Sequence, residues 1–184
     1  MTYGSLEELF SAKVASLGRL QYATRTLTVS QTSIRPPDGG WSIQEILEHL
    51  SLVESQLLHL VTTLLERAEK ISGTDSPVRS YEVSLEQVIQ RSSREKFSTR
   101  DKYQPTGRAE ALASIAILQQ VQEDLRGLIP RLQSVDPTVA RFPHWIFGSL
   151  DLGEWLAFIV VHEERHLMQI EAIMAAREFS ELDR

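Results

Sequence analysis

The residues best placed to do chemistry are histidines. His162 and His166 stand four positions apart in a stretch whose apolar residues recur at helical spacing. At ~100° per residue the two differ by ~40° around a helix axis and sit about one turn apart, so both imidazoles can reach a single ion. His166 falls near the middle of the apolar stripe, close to Ile159 and Ile170, and His162 falls at its edge beside Trp155. Both are therefore expected to face the protein interior. His49 holds a comparable position on an earlier helical stretch, between Ile46 and Val53. A lone histidine on an apolar face is usually a hydrogen-bonded core residue, but three inward imidazoles without partners are costly, and one shared divalent ion would satisfy them together. Three neutral nitrogen ligands leave positions open for water or substrate, which distinguishes catalytic sites from closed structural ones. Imidazole suits zinc, nickel, copper and iron; zinc and nickel are the expected ions, with iron and manganese as alternatives. His59 is expected on the polar side of its helix, and His144 in a loop.

Residues 162–166 also spell H-E-x-x-H, the zinc-peptidase pattern in which the glutamate is general base. That reading needs a third ligand downstream and a sheet edge to hold substrate. Few residues follow His166 and no sheet is readable, so the peptidase reading is disfavoured. Glu163 still faces inward near Ile159, either as a carboxylate orienting a ligand histidine or as an acid/base or fourth metal ligand. Glu164 and Arg165 are expected to point outward as surface charge.

Four long amphipathic helices are needed to carry these positions. The first opens at a Ser5/Glu8 capping pattern and its stripe runs through Leu6, Leu9, Phe10, Leu17, Leu20 and Leu27, ending in a Pro- and Gly-rich break over 31–40. The second opens at Ser42/Glu45 and runs to about Lys70. A polar connection from Ile71 to Arg108 follows, with a short helix expected from Ser84 to Arg94. The third helix spans Ala109 to about Gln133, with Leu112, Ile115, Leu118, Leu125 and Leu132 inward and its last turn disturbed by Pro130. The last starts at Asp151/Glu154 and runs to about Arg177. Four such stripes can be buried only against one another, so the fold class is all-α, a four-helix bundle. The long connection between the second and third helices favours a crossover topology over simple up-down-up-down.

Length and composition bound the rest. The 184 residues suit a single domain, 42% of them hydrophobic. The net charge of −6 argues against a nucleic-acid partner. No bilayer-length apolar run and no secretory leader is readable, so the expected location is the cytoplasm. The absence of cysteine excludes disulfides, thiolate ligands and a cysteine nucleophile.

Two segments carry a family resemblance. Gly40-Trp41-Ser42-Ile43-Gln44-Glu45-Ile46-Leu47-Glu48-His49-Leu50 is similar to the W-S-x-x-E-I-L-x-H-L entry to the second helix of the DinB-like superfamily. His144 to Leu150, then Glu154-Trp155-Leu156, then His162 to His166 with Gln169-Ile170, resembles that family's H-P-x-F-G-x-L…E-W-L…H-x-x-R-H-x-x-Q-I block. The chain departs from it at Trp145, where the family pattern has proline. The resemblance implies a metal-binding four-helix bundle with His49, His162 and His166 as ligands. Characterised relatives include transferases and isomerases that use low-molecular-weight thiols. The implied function is a divalent-metal-dependent transferase joining a small thiol to an electrophile, in detoxification or stress response. A non-catalytic metal-binding stress protein and a metal-dependent hydrolase are the alternatives. On that reading Glu163 and Gln169 tune the ligands, Trp41, His144 and Trp155 line the pocket, and the partners are a small-molecule substrate, a thiol and a second copy of the chain.

Overall fold

The computed structural model describes residues 2–72, 83–84 and 101–182. Among these, four long helices dominate: α1 (Leu6–Thr24), α3 (Ile43–Ser72), α4 (Ala111–Gly127) and α6 (Leu152–Leu182). Two short helices, α2 (Val29–Ser33) and α5 (Ile129–Leu132), lie in the connections, with a 3-10 turn at Asp101–Tyr103.

The starts of the helices follow their caps. Ser5 Oγ accepts from Glu8 N at 3.1 Å. Ser42 and Glu45 bond each other's backbone N–H reciprocally, as do Asp151 and Glu154, satisfying donors that a helix leaves unpaired at its first turn. The first helix stops at Thr24, short of Leu27. Thr28 and Gln31 then form a capping box of their own and start α2, which runs into the expected break. The third helix ends at Gly127 and a separate turn begins with Pro130 in its first positions, where a missing N–H costs nothing.

The core divides into two buried clusters that reveal the helix directions. One joins Leu9, Leu57, Leu64, Val121, Leu125, Leu156 and Ile159. The other joins Leu17, Leu20, Ile46, Leu50, Ile115, Leu118, Leu167 and Ile170. The first contains the beginnings of α1 and α6 and the ends of α3 and α4, so α1 and α6 run one way and α3 and α4 the other. Helices α3 and α4 are neighbours, as are α1 and α6. Parallel neighbours consecutive in sequence require the connection to return along the bundle, which is the expected crossover topology.

Two sequence expectations change. Leu112, placed in the inward stripe, is 73% exposed: it lies ~60° around the axis from Ile115, and Ala111 packs against that cluster instead. Strands are present although none was readable. Thr2–Tyr3 (β1) pairs antiparallel with Val83–Ser84 (β2), and Arg141–His144 (β3) pairs with Gly148–Asp151 (β4). Segments of two and four residues, one containing Pro143, are too short for alternation to register. The short helix expected over 84–94 lies, beyond Ser84, outside the described residues. No described helix is long and apolar enough to cross a membrane.

Candidate metal centre

Helix α3 carries His49 at its second turn, and α6 carries His162 and His166 one turn apart. The antiparallel packing of α3 on α6 brings the three together: one ring nitrogen from each lies within 4.8 Å of the others. His49 Nδ1 donates to the Tyr103 carbonyl at 2.8 Å, and His166 Nδ1 donates to Gln169 Oε1 at 2.7 Å. These bonds fix both tautomers, leaving each Nε2 a bare lone pair. His49 Nε2 and His162 Nε2 stand 3.3 Å apart, close to the spacing of two nitrogens each ~2.0–2.1 Å from a tetrahedral zinc. His162 Nδ1 is buried without a hydrogen-bond partner.

All three imidazoles are held neutral. Burial pushes the His166 pKa down to about 3, with the neighbouring His49 adding to the effect and the Gln169 bond opposing it. Burial, then the charges of His166, His49, Arg165 and His144, pulls His162 well below its ordinary value. Burial also lowers His49, opposed by the Tyr103 carbonyl. A neutral imidazole is the form that ligates. The residues therefore fit a divalent ion in both geometry and protonation.

The three histidines form one wall of a cavity of about 540 Å³. Above them the β3–β4 hairpin contributes Phe142, Trp145 and Phe147, and α6 contributes Trp155 and Phe158. Trp155 Nε1 donates to the Phe142 carbonyl at 3.2 Å, tying the hairpin to α6. Arg141 reinforces the tie by bonding Ser149, Asp151 and Glu154. His144 Nδ1 accepts from the backbone N–H of Ile146 and Phe147, closing the turn, while Gly148 takes the positive φ of 77° that the turn requires. With Nδ1 accepting, His144 carries its proton on Nε2.

The expected site residues divide accordingly. His144 and Trp155 line the cavity. Gln169 is exposed and holds His166 from the far side. Trp41 packs behind the ligands, its ring centroid 4.8 Å from that of His49 and 6.3 Å from that of His166, and is not among the cavity residues. Glu163 turns towards the bundle axis. Its carboxylate bonds Lys13 of α1, whose ammonium also lies 3.0 Å from Glu54 of α3, and all three are buried. A glutamate held there is not placed to serve as the general base of a peptidase. Burial works against the Lys13 ammonium, but the Glu54 and Glu163 carboxylates overcome it and hold its pKa above the ordinary value. Burial, with the adjacent Glu163 charge added, pushes the Glu54 carboxyl well up, and the Lys13 ammonium opposes it.

Arg165 is a correction. Instead of facing solvent it is half-buried against the cavity, near enough for its charge to bear on both His162 and His166. Glu164 bonds Arg19 across the α1–α6 seam. Lys13 and Glu54 are functional neighbours that motif reading missed; each interrupts an apolar stripe, between Leu9 and Leu17 and between Leu50 and Leu57.

A crossover four-helix bundle whose antiparallel α3 and α6 bring three histidines together defines a candidate metal-binding helical bundle. Residues 14–170 match the sequence model of the DinB superfamily, and the chain belongs to it. An uncharacterized Bacillus subtilis protein, YuaE, is 27% identical over 139 residues, covering 76% of this chain and 80% of its own. Among solved structures, Bacillus subtilis YfiT, described as a probable metal-dependent hydrolase with an unusual four-helix bundle topology, superposes with a TM-score of 0.64 at 17% identity, covering 94% of this chain and 87% of its own. TT2238, a four-helix bundle protein, superposes at 0.57 with 22% identity, covering 90% and 98%.

Proposed function

We propose that this protein is a metal-dependent transferase that joins a low-molecular-weight thiol to a small electrophile, in a detoxification or stress role. The observation that carries the reading is the convergence of His49, His162 and His166 on the wall of a largely apolar cavity. A divalent ion on three neutral imidazoles acts as a Lewis acid that lowers the pKa of a bound thiol or water. The protein's own groups do the rest. Tyr103 and Gln169 hold two of the rings in their ligating tautomer. The aromatic walls of the cavity exclude water and orient the acceptor.

The choice of thiol over water has a support in the lining. Among the described residues no Asp or Glu borders the cavity. A thiol, with an unperturbed pKa of about 8.5, ionises on a metal without a carboxylate to take its proton. The chain supplies no cysteine, so the thiol must arrive with a co-substrate. The description of YfiT as a probable metal-dependent hydrolase supports the second reading, in which water is the nucleophile.

The test is turnover by zinc- and nickel-loaded protein of a model electrophile with bacillithiol, mycothiol, glutathione or cysteine. Thiol-dependent consumption that disappears in a His162→Ala, His166→Ala double variant is the expected result. Ester or amide cleavage without added thiol would establish the hydrolase instead.

A further inference from the structure

The buried charged group that the proposed chemistry leaves without a task is Lys13. Its side chain is 2% exposed in the middle of α1, at a position where an apolar residue would continue the stripe. The ammonium lies 3.0 Å from Glu54 Oε2 on α3 and donates to Glu163 Oε2 on α6. Those are the two helices that carry the metal ligands: Glu54 lies five residues beyond His49, and Glu163 is the residue after His162. None of the three side chains borders the cavity or belongs to the histidine cluster. As a source of stability the group is poor. A buried ion pair loses much of its Coulomb gain to desolvation, and both oxygens of Glu54 and Oε1 of Glu163 find no well-directed hydrogen bond among the described residues. What it adds is direction.

We infer that Lys13 is a positioning residue of the metal centre: through Glu54 and Glu163 it fixes the register of α3 against α6 at which His49 meets His162 and His166. The inference rests on the metal-dependent reading proposed above, although the register it names exists without a metal. The apolar stripes of the bundle attract without direction and tolerate alternative packings of similar volume. A slip of one residue along either helix moves its side chains by ~1.5 Å and turns them by ~100°. Ligand atoms that lie within 4.8 Å of one another could not follow such a slip and still share an ion. An ammonium with three donors, tied to a carboxylate on each helix, opposes the slip because it would leave buried charge unpaired. A single buried polar side chain sets the register of coiled coils by the same means.

Zinc affinity of the full-length Lys13→Met protein, read by competition with a chromophoric chelator, tests the assignment. Charge and position predict opposite signs. Removing a cation from the bundle should, by Coulomb's law alone, tighten the binding of a divalent ion. Loss of register should instead weaken it about tenfold or more and change the visible bands of the cobalt-loaded protein. Leu125→Ala, a core truncation on α4, controls for lost stability and should leave both affinity and bands as in the parent. Metal-free protein gives a separate reading. The nuclear Overhauser contact between the rings of His49 and His162, whose centroids are 5.2 Å apart, should vanish in Lys13→Met. If that variant does not fold, the Lys13→Met, Glu163→Met pair removes one formal charge of each sign and carries the same expectations. Zinc held as tightly as in the parent or more so, unaltered cobalt bands, a ring contact that persists, or an equal loss of affinity in Leu125→Ala would overturn the inference and leave the enzyme reading standing. A parent that takes up no metal, yet shows a ring contact that depends on Lys13, refutes the proposed transferase and leaves the positioning role in place.

Discussion

His49 and His166 each commit one ring nitrogen to a protein acceptor, and the metal site depends on those acceptors as much as on the rings. The Gln169 amide is the exposed member of the pair, so it can be changed without disturbing the core. Gln169→Leu should keep the fold and weaken metal binding about tenfold to a hundredfold, read by competition with a chromophoric chelator. Unchanged affinity would mean that His166 is positioned by packing alone. A second residue-scale prediction concerns the buried Lys13, Glu54 and Glu163. Lys13→Met leaves uncompensated carboxyl groups inside the bundle and should cost about 3–5 kcal/mol in denaturant unfolding at neutral pH. Burial pushes the Glu54 carboxyl towards its neutral form, so Glu54→Gln should cost far less. Equal losses from the two substitutions would show that the charge on Glu54 is needed.

At the scale of elements, the end of the long connection is anchored by one carboxylate of α3. Glu48 accepts from Thr106 N, Thr106 Oγ1 and Gly107 N, and Gln44 donates to the Gly107 carbonyl. A few residues earlier the same segment supplies the Tyr103 carbonyl that fixes His49. Glu48→Ala should therefore loosen a segment that contains no ligand and still reduce metal affinity several-fold. It should also cost about 1–3 kcal/mol from the abandoned backbone donors. A variant that loses stability but binds metal normally would uncouple the segment from the site.

The elements also show what the sequence made legible. The caps at Ser5, Ser42 and Asp151 and the apolar stripes behind them depend on spacings of three and four, which survive in one dimension, and they fixed the helices and the His49–His162–His166 convergence. What escaped depends on which helix lies against which. Arg165 is ~60° around the axis from His162, and whether that edge meets solvent or a cavity is decided by the hairpin folded over it. Glu163 was correctly read as inward, but its partner Lys13 lies on the first helix, and only the parallel packing of α1 on α6 brings the two together. The hairpin is held by Arg141, Trp155 and a histidine-capped turn rather than by strand alternation, so its four-residue arms left no periodic signal.

For the whole molecule the metal site lies between α3 and α6, which run in opposite directions, and a ligated ion would clamp them together. Its effect on stability follows from mass action: an ion at about a hundred times its Kd adds about 2.7 kcal/mol, which for a chain of this length raises Tm by about 5–10 °C. The pH dependence has a definite sign. Burial lowers the folded-state pKa of His49, His162 and His166, in His166 to about 3, below the value of about 6.5 in the unfolded chain. The unfolded chain therefore takes up protons first. Stability that these histidines permit above about pH 6.5 is lost as the pH falls through 6.5 towards the folded values. Metal binding requires the same neutral rings, so it fails in the same direction. Thermal melts with and without a chelator at about pH 7.5 and about pH 5 should show a large metal-dependent shift in Tm at the higher pH and a much smaller one at the lower. In the chelated protein Tm should still fall on acidification, but less in a His162→Ala, His166→Ala variant, which has two fewer rings to protonate. A chelated parent whose Tm was level across that range would mean that the imidazoles are already charged in the fold, and the metal reading would go with it.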